Sequence, residues 1–288
     1  SPYIAFRSRP DGEREIVRRQ QFTAHQKTYV FSALLEVCFF IQQGSLVRRS
    51  CFLRAGDYDE ALTRSLDYDF VLRLAWSCRG VCLDNPTFYL RFHDSDRGVS
   101  GDRFPAGQKA ERWFEANRKI FERLCQQWPL RSFALTDVGR LAPETYDIFD
   151  AKLRRAAVMA SNGVWDPALP DFAALAAFRQ APGLTVEQAR LAYAILSSEH
   201  VLQSLAFDRT LLSRLCTSLN HPVGCNILHM MVRKIGHNLV QHPEMRKSQA
   251  LRARLRLLMT PAFAARIPGV LGQGVQNRWA RQGRRQEI

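Results

Sequence analysis

The sequence predicts an α/β segment followed by a mostly α-helical region. Two observations carry this. Residues 1–105 mix short extended apolar runs with Pro- and Gly-bearing turns. Residues 107–260 return apolar residues at helical spacing, segment after segment. The chain has 288 residues, 46% hydrophobic and 24% charged, which excludes wholesale disorder. The longest apolar runs, such as 30–35 and 37–41, fall far short of the ~20 residues that cross a bilayer as a helix.

Residues 2–7 are apolar and aromatic and read as a strand. Arg9-Pro10-Asp11-Gly12 is a turn: proline presets φ and glycine accepts a positive φ. Residues 22–40 read as one long helix, with apolar residues at 30, 31, 34, 35 and 38, and 39–47 as a strand bending at Gly44. Residues 49–55 lead to Gly56 as a helix C-cap or turn. Ser65 is placed to cap a helix over 67–77, with Phe70, Val71, Leu74 and Ala75 on one face and Gly80 stopping it. Short strands are expected at 81–83 and 87–92, and a polar loop at 93–101.

Beyond it, helices are expected at 108–127, 143–161, 171–180, 186–206, 209–219 and 224–240. Thr185 with Gln188 matches a capping box. A basic amphipathic helix is expected over 245–259, broken by Pro261 and Pro268. The chain then divides into an α/β segment 1–105, a helical region 106–260 and a flexible basic tail 261–288.

The formal net charge is +14, and residues 246–288 hold ten Lys/Arg against one acid, Glu287. A basic tail suits an anionic partner, and a basic amphipathic helix suits an anionic membrane surface. Nucleic acid is disfavoured, because Phe263 and Trp279 are the tail's only aromatic residues and make no stacking platform. Seven cysteines, without a CxxC pair, read as free thiols rather than a disulfide framework or a zinc finger. His221, His229 and His237 recur every eight residues and so drift about 80° per step around a helix, which makes no tight metal face.

The most informative stretch is 44–97. It holds Gly44-Ser45-Leu46-Val47-Arg48-Arg49, then Gly56-Asp57-Tyr58-Asp59-Glu60. Leu66-Asp67-Tyr68-Asp69-Phe70 and Leu72-Arg73-Leu74-Ala75 follow, and the stretch closes on Tyr89-Leu90-Arg91-Phe92-His93. In order and spacing these blocks resemble the second half of the catalytic domain of family 2 glycosyltransferases, which have the GT-A fold. The resemblance covers about the first third of the chain. Leu66 departs from it, standing where the family usually has an acid. The resemblance implies a preceding nucleotide-binding half that ends in an Asp-x-Asp metal motif. On that reading the chain is an N-terminally truncated enzyme, inactive by itself.

The resemblance carries roles onto particular residues. Asp67 matches the base that removes the acceptor hydroxyl proton, or is simply an acid stabilised by a helix N-terminus. Asp69 is structural or solvated, and Arg73 is an ion-pair partner for a nearby acid. Asp59 meets sugar or acceptor hydroxyls, or bonds its own turn backbone. Gly44 and Ser45 let the backbone approach the acceptor, or form a bend. Arg91 meets phosphates or is solvated. His93 joins a divalent metal, Mn²⁺ or Mg²⁺, or has a structural role; imidazole suits Mn²⁺ better. The implied partners are a nucleotide-sugar donor and a glycan or lipid-linked acceptor, at the cytoplasmic face of a membrane. The competing reading is a helical interaction module whose basic tail binds an anionic partner.

Overall fold

The structure, a computed structural model, describes residues 1–92, 108–135, 145–178, 183–241, 253, 257 and 260–264. It is mostly helical, with one small mixed sheet. The chain forms two compact units, Ser1–Ala151 and Lys152–Ile288. The boundary near 105 expected from sequence lies inside the first unit.

The first unit opens on strand β1 (Tyr3–Ser8), which turns through Gly12 at φ 86° into β2 (Arg14–Arg19). The two pair antiparallel, and an irregularity between Ala5 and Phe6 leaves Val17 as the extra residue. Strand β3 (Phe88–Arg91) lies parallel to β1 on its other side, giving the order β2-β1-β3.

Between β2 and β3 run four helices, α1 (Ala24–Thr28), α2 (Val30–Glu36), α3 (Arg49–Ala55) and α4 (Leu66–Ser77). The single helix expected over 22–40 is thus two, broken at Tyr29, whose φ −119° and ψ 56° are not helical. Burial explains the break. Helix α1 buries none of its residues, whereas α2 buries Phe31, Ser32, Ala33, Leu34 and Leu35 in succession, so the chain must change direction between them. The strand expected over 39–47 does not form either; a 3₁₀ turn occupies Gln42–Gly44. The Phe39 carbonyl accepts from Gln20 Nε2 at 2.7 Å, and the Phe39 ring packs on Phe22. Side-chain contacts therefore satisfy a segment that a ladder would otherwise claim. Residues 81–83 are likewise not a strand. The Gly56 expectation holds: φ 78° ends α3 there, a left-handed turn that glycine makes without steric cost.

Helix α5 (Lys109–Gln127) joins this unit by burying Ile120, Phe121 and Leu124. Phe121 meets Tyr68 of α4 with ring centroids 6.0 Å apart. After α5, Trp128 stacks on Trp76 of α4 at 5.3 Å, and Trp76 Nε1 donates to Ser132 Oγ at 3.3 Å.

The second unit begins within α6 (Ile148–Ser161) and continues through α7 (Trp165–Ala174), α8 (Val186–Ala194), α9 (Glu199–Phe207), α10 (Arg209–Ser218) and α11 (Pro222–Gln241). A short helix at Pro261–Ala264 follows. Helix α7 starts earlier than expected, with Pro167 in its first turn, where a missing N–H costs little. The Thr185–Gln188 capping box forms at the start of α8. The helix expected over 186–206 is interrupted at Leu196 and Ser198, whose backbones leave the helical region. Buried Asp171 of α7 accepts from Arg155 at 2.6 and 2.9 Å and from Lys152 at 3.3 Å, pinning α7 to α6. No helix among the described residues is long and apolar enough to cross a membrane.

Phe121 has no exposed surface, so Phe121→Ala should cost about 3–5 kcal/mol. Urea unfolding would show this as a lower midpoint.

Candidate functional site

Two of the four sequence blocks, 56–60 and 66–75, form α4 and the loop before it, while residues 89–91 lie on β3. That loop runs from Gly56 to Ser65 and carries Asp57 and Asp59. Tyr58 of the loop packs its ring on Phe70 at 4.8 Å, and Phe52 of α3 packs on Phe70 at 4.7 Å. The Tyr58 hydroxyl accepts from Gln42 Nε2.

Beneath this cluster lies a network of two carboxylates and two guanidiniums. Asp69 has no exposed surface. Its Oδ2 accepts from Arg73 Nε at 3.0 Å, one helical turn on, where side chains four apart share a face. Its Oδ1 accepts from Arg123 Nη2, reaching in from α5. The other end of the Arg123 fork donates from Nη1 to Asp59 Oδ2. Arg73 also donates from Nη2 to the Asp57 carbonyl at 2.8 Å and from Nη1 to the Ala55 carbonyl. The planar guanidinium suits such divided duty, which a point-charged lysine could not repeat. Asp69 is therefore structural and not solvated.

Asp59 was expected at substrate hydroxyls or its own turn. In the structure it holds its own turn and Arg123: Oδ1 accepts from the Ala61 N–H at 3.0 Å, Oδ2 from Arg123. Both oxygens are thereby engaged by the protein.

Asp67 lies in the first turn of α4 and is exposed. Its Oδ1 accepts from the Tyr68 N–H at 2.9 Å. It forms no ion pair with any described residue. Tyr68 beside it donates its hydroxyl to the Leu34 carbonyl of α2 at 2.6 Å, and in the segment after α2 the Cys38 thiol feels the Asp67 charge. Although Cys38 is exposed by its surface area, the protein atoms crowded around its thiol, and to a lesser degree the Asp67 charge, push it up to about 11 against the opposing pull of a backbone hydrogen bond with Phe40. Complete burial raises the Tyr68 phenol well above its ordinary range.

Gly44 is fixed by packing. A Cβ there would stand 2.5 Å from Phe88 Cε1 and 2.9 Å from the Ser1 carbonyl oxygen, while its own carbonyl accepts from Ser1 Oγ at 3.0 Å. Ser45 Oγ turns back to the Gln42 carbonyl at 2.5 Å. Both residues form the bend beside the sheet, and neither side of that bend is tied to Asp67 by a described contact. Arg91 ends β3 with its side chain exposed. His93 lies outside the described residues, as does the basic helix expected over 245–259 apart from Ala253 and Leu257.

The residue missed from sequence is Arg123. It stands 64 positions from Asp59 and 54 from Asp69. Nothing local distinguishes it from the other arginines of α5. Comparisons with family models, with curated proteins and with solved structures gave no match.

Two predictions follow from this geometry. Asp69→Ala should destabilise by up to about 3–5 kcal/mol, because it takes away the buried carboxylate that the partly buried Arg73 and Arg123 guanidiniums share. In that background Arg123→Ala should cost less than it does alone, by about 0.5–3 kcal/mol, measured as a double-mutant cycle in urea. Separately, with its thiol at about 11, Cys38 should alkylate slowly at pH 8 and speed up steeply only as pH approaches that value. Removing the neighbouring charge by Asp67→Asn should raise the pH 8 rate a few-fold, read by mass spectrometry of the Cys38 peptide.

Proposed function

We propose that the first unit is the acceptor side of a GT-A glycosyltransferase domain of family 2 type, an inverting enzyme with Asp67 as its base. One observation carries the reading. Of the acids that match the family's pattern, Asp59, Glu60 and Asp67, Asp67 stands at the position of the base, exposed in the first turn of α4 and with no ion pair among the described residues. Asp59 and Asp69 are neutralised by Arg73 and Arg123. A base must reach a substrate proton and keep an unencumbered oxygen, and Asp67 Oδ2 has no hydrogen-bond partner among the described residues.

The chemistry is a single displacement. An acceptor hydroxyl gives its proton to the Asp67 carboxylate as its oxygen attacks the anomeric carbon. The bond from that carbon to the nucleoside diphosphate breaks on the opposite face, so configuration inverts and the diphosphate departs with the electron pair. The α4 N-terminus stabilises the carboxylate charge before transfer, and the Tyr68 N–H orients it. Locking the loop through Arg73 and Arg123 holds the start of α4, and Asp67 with it, in one position.

The donor is a nucleotide sugar and the acceptor a glycan or lipid-linked glycan, at the cytoplasmic face of a membrane. Enzymes of this kind use a divalent metal to neutralise the diphosphate. The described residues around Asp67 do not fit one: the two neighbouring carboxylates are already paired with arginines, and His93 lies outside the described residues.

Asp67→Asn is nearly isosteric and keeps the bond from Tyr68 N–H. In the complete natural protein, supplied with nucleotide sugars, it should lower sugar transfer by about 10²–10⁴-fold while the melting temperature stays unchanged. Transfer at the wild-type rate would refute the assignment.

A further inference from the structure

The sheet has a face that the catalytic reading does not use. Phe6 registers with Ile16 on β2 and with Arg91 on β3; Ser8 registers with Arg14, and Ile4 with Arg19 and Tyr89. Partners in register project to the same side, so these residues share one face. Contacts settle it. The Arg14 guanidinium lies 5.0 Å from the Phe6 ring centroid and 5.7 Å from that of Tyr89, and the two rings meet edge to face at 6.3 Å.

This face combines cations with exposed apolar surface. Tyr89 is 57% exposed and Ile16 41%, and β2 is exposed along its whole length. Arg14, Arg19 and Arg91 supply positive charge. Strands β1 and β3 contain no acid, and the one acid of β2, Glu15, registers with Arg7 on the opposite face and pairs with Arg9 at 3.6 Å. The face therefore presents guanidiniums without carboxylates beside an aliphatic and two aromatic side chains.

We propose that this β2-β1-β3 face docks on an anionic phospholipid surface. Arg14 is already held over two rings, so little side-chain entropy is lost when its outward N–H groups meet a phosphate. Arg91 and Arg19 widen the phosphate-binding zone. Tyr89, with an apolar ring and a polar tip, and Ile16 suit the boundary between headgroups and acyl chains. A single-stranded nucleic acid fits less well. Its bases need open aromatic faces, and here the Arg14 guanidinium sits over both rings. Ile16 would also have no role against bases. The proposal does not rest on the assignment of Asp67, and its test reads no sugar transfer.

The test is co-sedimentation of the full chain with phosphatidylcholine vesicles, with and without phosphatidylglycerol. The chain should bind the anionic vesicles selectively. Arg14→Gln with Arg91→Gln should weaken that binding by about fivefold per arginine. A charge-matched pair at exposed positions elsewhere, Arg112→Gln with Arg209→Gln, should change it much less. Ile16→Ser, which alters no charge, should also weaken vesicle binding and leave binding of a single-stranded oligonucleotide unchanged. Melting temperatures of all variants should match the parent, since each site is exposed. The proposal is overturned if both arginine pairs lose binding equally, which would mean bulk charge alone. It is overturned equally if the face variants bind vesicles normally, or lose the oligonucleotide while keeping the vesicles.

Discussion

Asp69 is the constraint on which the first unit turns. A carboxylate with no solvent contact is tolerated only when cations and hydrogen bonds replace its water. Arg73 supplies one set from within the same helix, and Arg123 supplies the other from α5. Each arginine has groups to spare after meeting Asp69, and those groups decide the rest. Arg73 gathers the carbonyls of Ala55 and Asp57, which fixes the end of α3 and the start of the following loop. Arg123 gathers Asp59, which fixes the loop's middle. One buried charge thereby ties α3, α4, α5 and the connecting loop together.

The same arrangement separates the fates of three neighbouring acids. Residues two apart on a helix differ by about 200° in direction, so Asp67 and Asp69 face nearly opposite ways. Asp69 turns into the core and requires its arginines. Asp67 turns outward at the first turn, where backbone N–H groups lack partners within the helix and favour a negative charge. Asp59, on the loop, spends its oxygens on the Ala61 amide and Arg123. Similar residue types in one short stretch thus divide into two that hold the fold and one that is left open.

Much of this was legible from local pattern. The Gly56 stop, the helix carrying Asp67, the Asp69–Arg73 spacing, the helix over 108–127 and the Thr185–Gln188 box are each encoded within a few residues, where spacing and capping chemistry act directly. What failed was set at longer range. Residues 22–40 have helical periodicity throughout, yet the change from an exposed to a wholly buried helix breaks them at Tyr29. Residues 39–47 have strand-like composition, yet Gln20 takes the Phe39 carbonyl first. Arg123 could not be found, because its meaning comes only from the two acids that the fold delivers to it. The sheet face was hidden for the same reason: Phe6, Arg14 and Tyr89 are neighbours by register alone.

Ser65 shows how far the packing overrides local preference at the candidate site. It sits at φ 58°, a left-handed conformation that suits glycine, and its buried hydroxyl finds no partner among the described residues. A serine at the start of a helix would ordinarily turn its oxygen to a backbone N–H of the first turn, and here it does not. Both departures cost stability, and both fall two residues before Asp67. The helix start is therefore held by what surrounds it: Tyr68 and Phe70 are buried on either flank, and Asp69 between them is locked by two arginines. Asp67 is exposed because that framework leaves it no inward position, so the openness of its carboxylate is a property of the whole unit rather than of its own sequence neighbourhood.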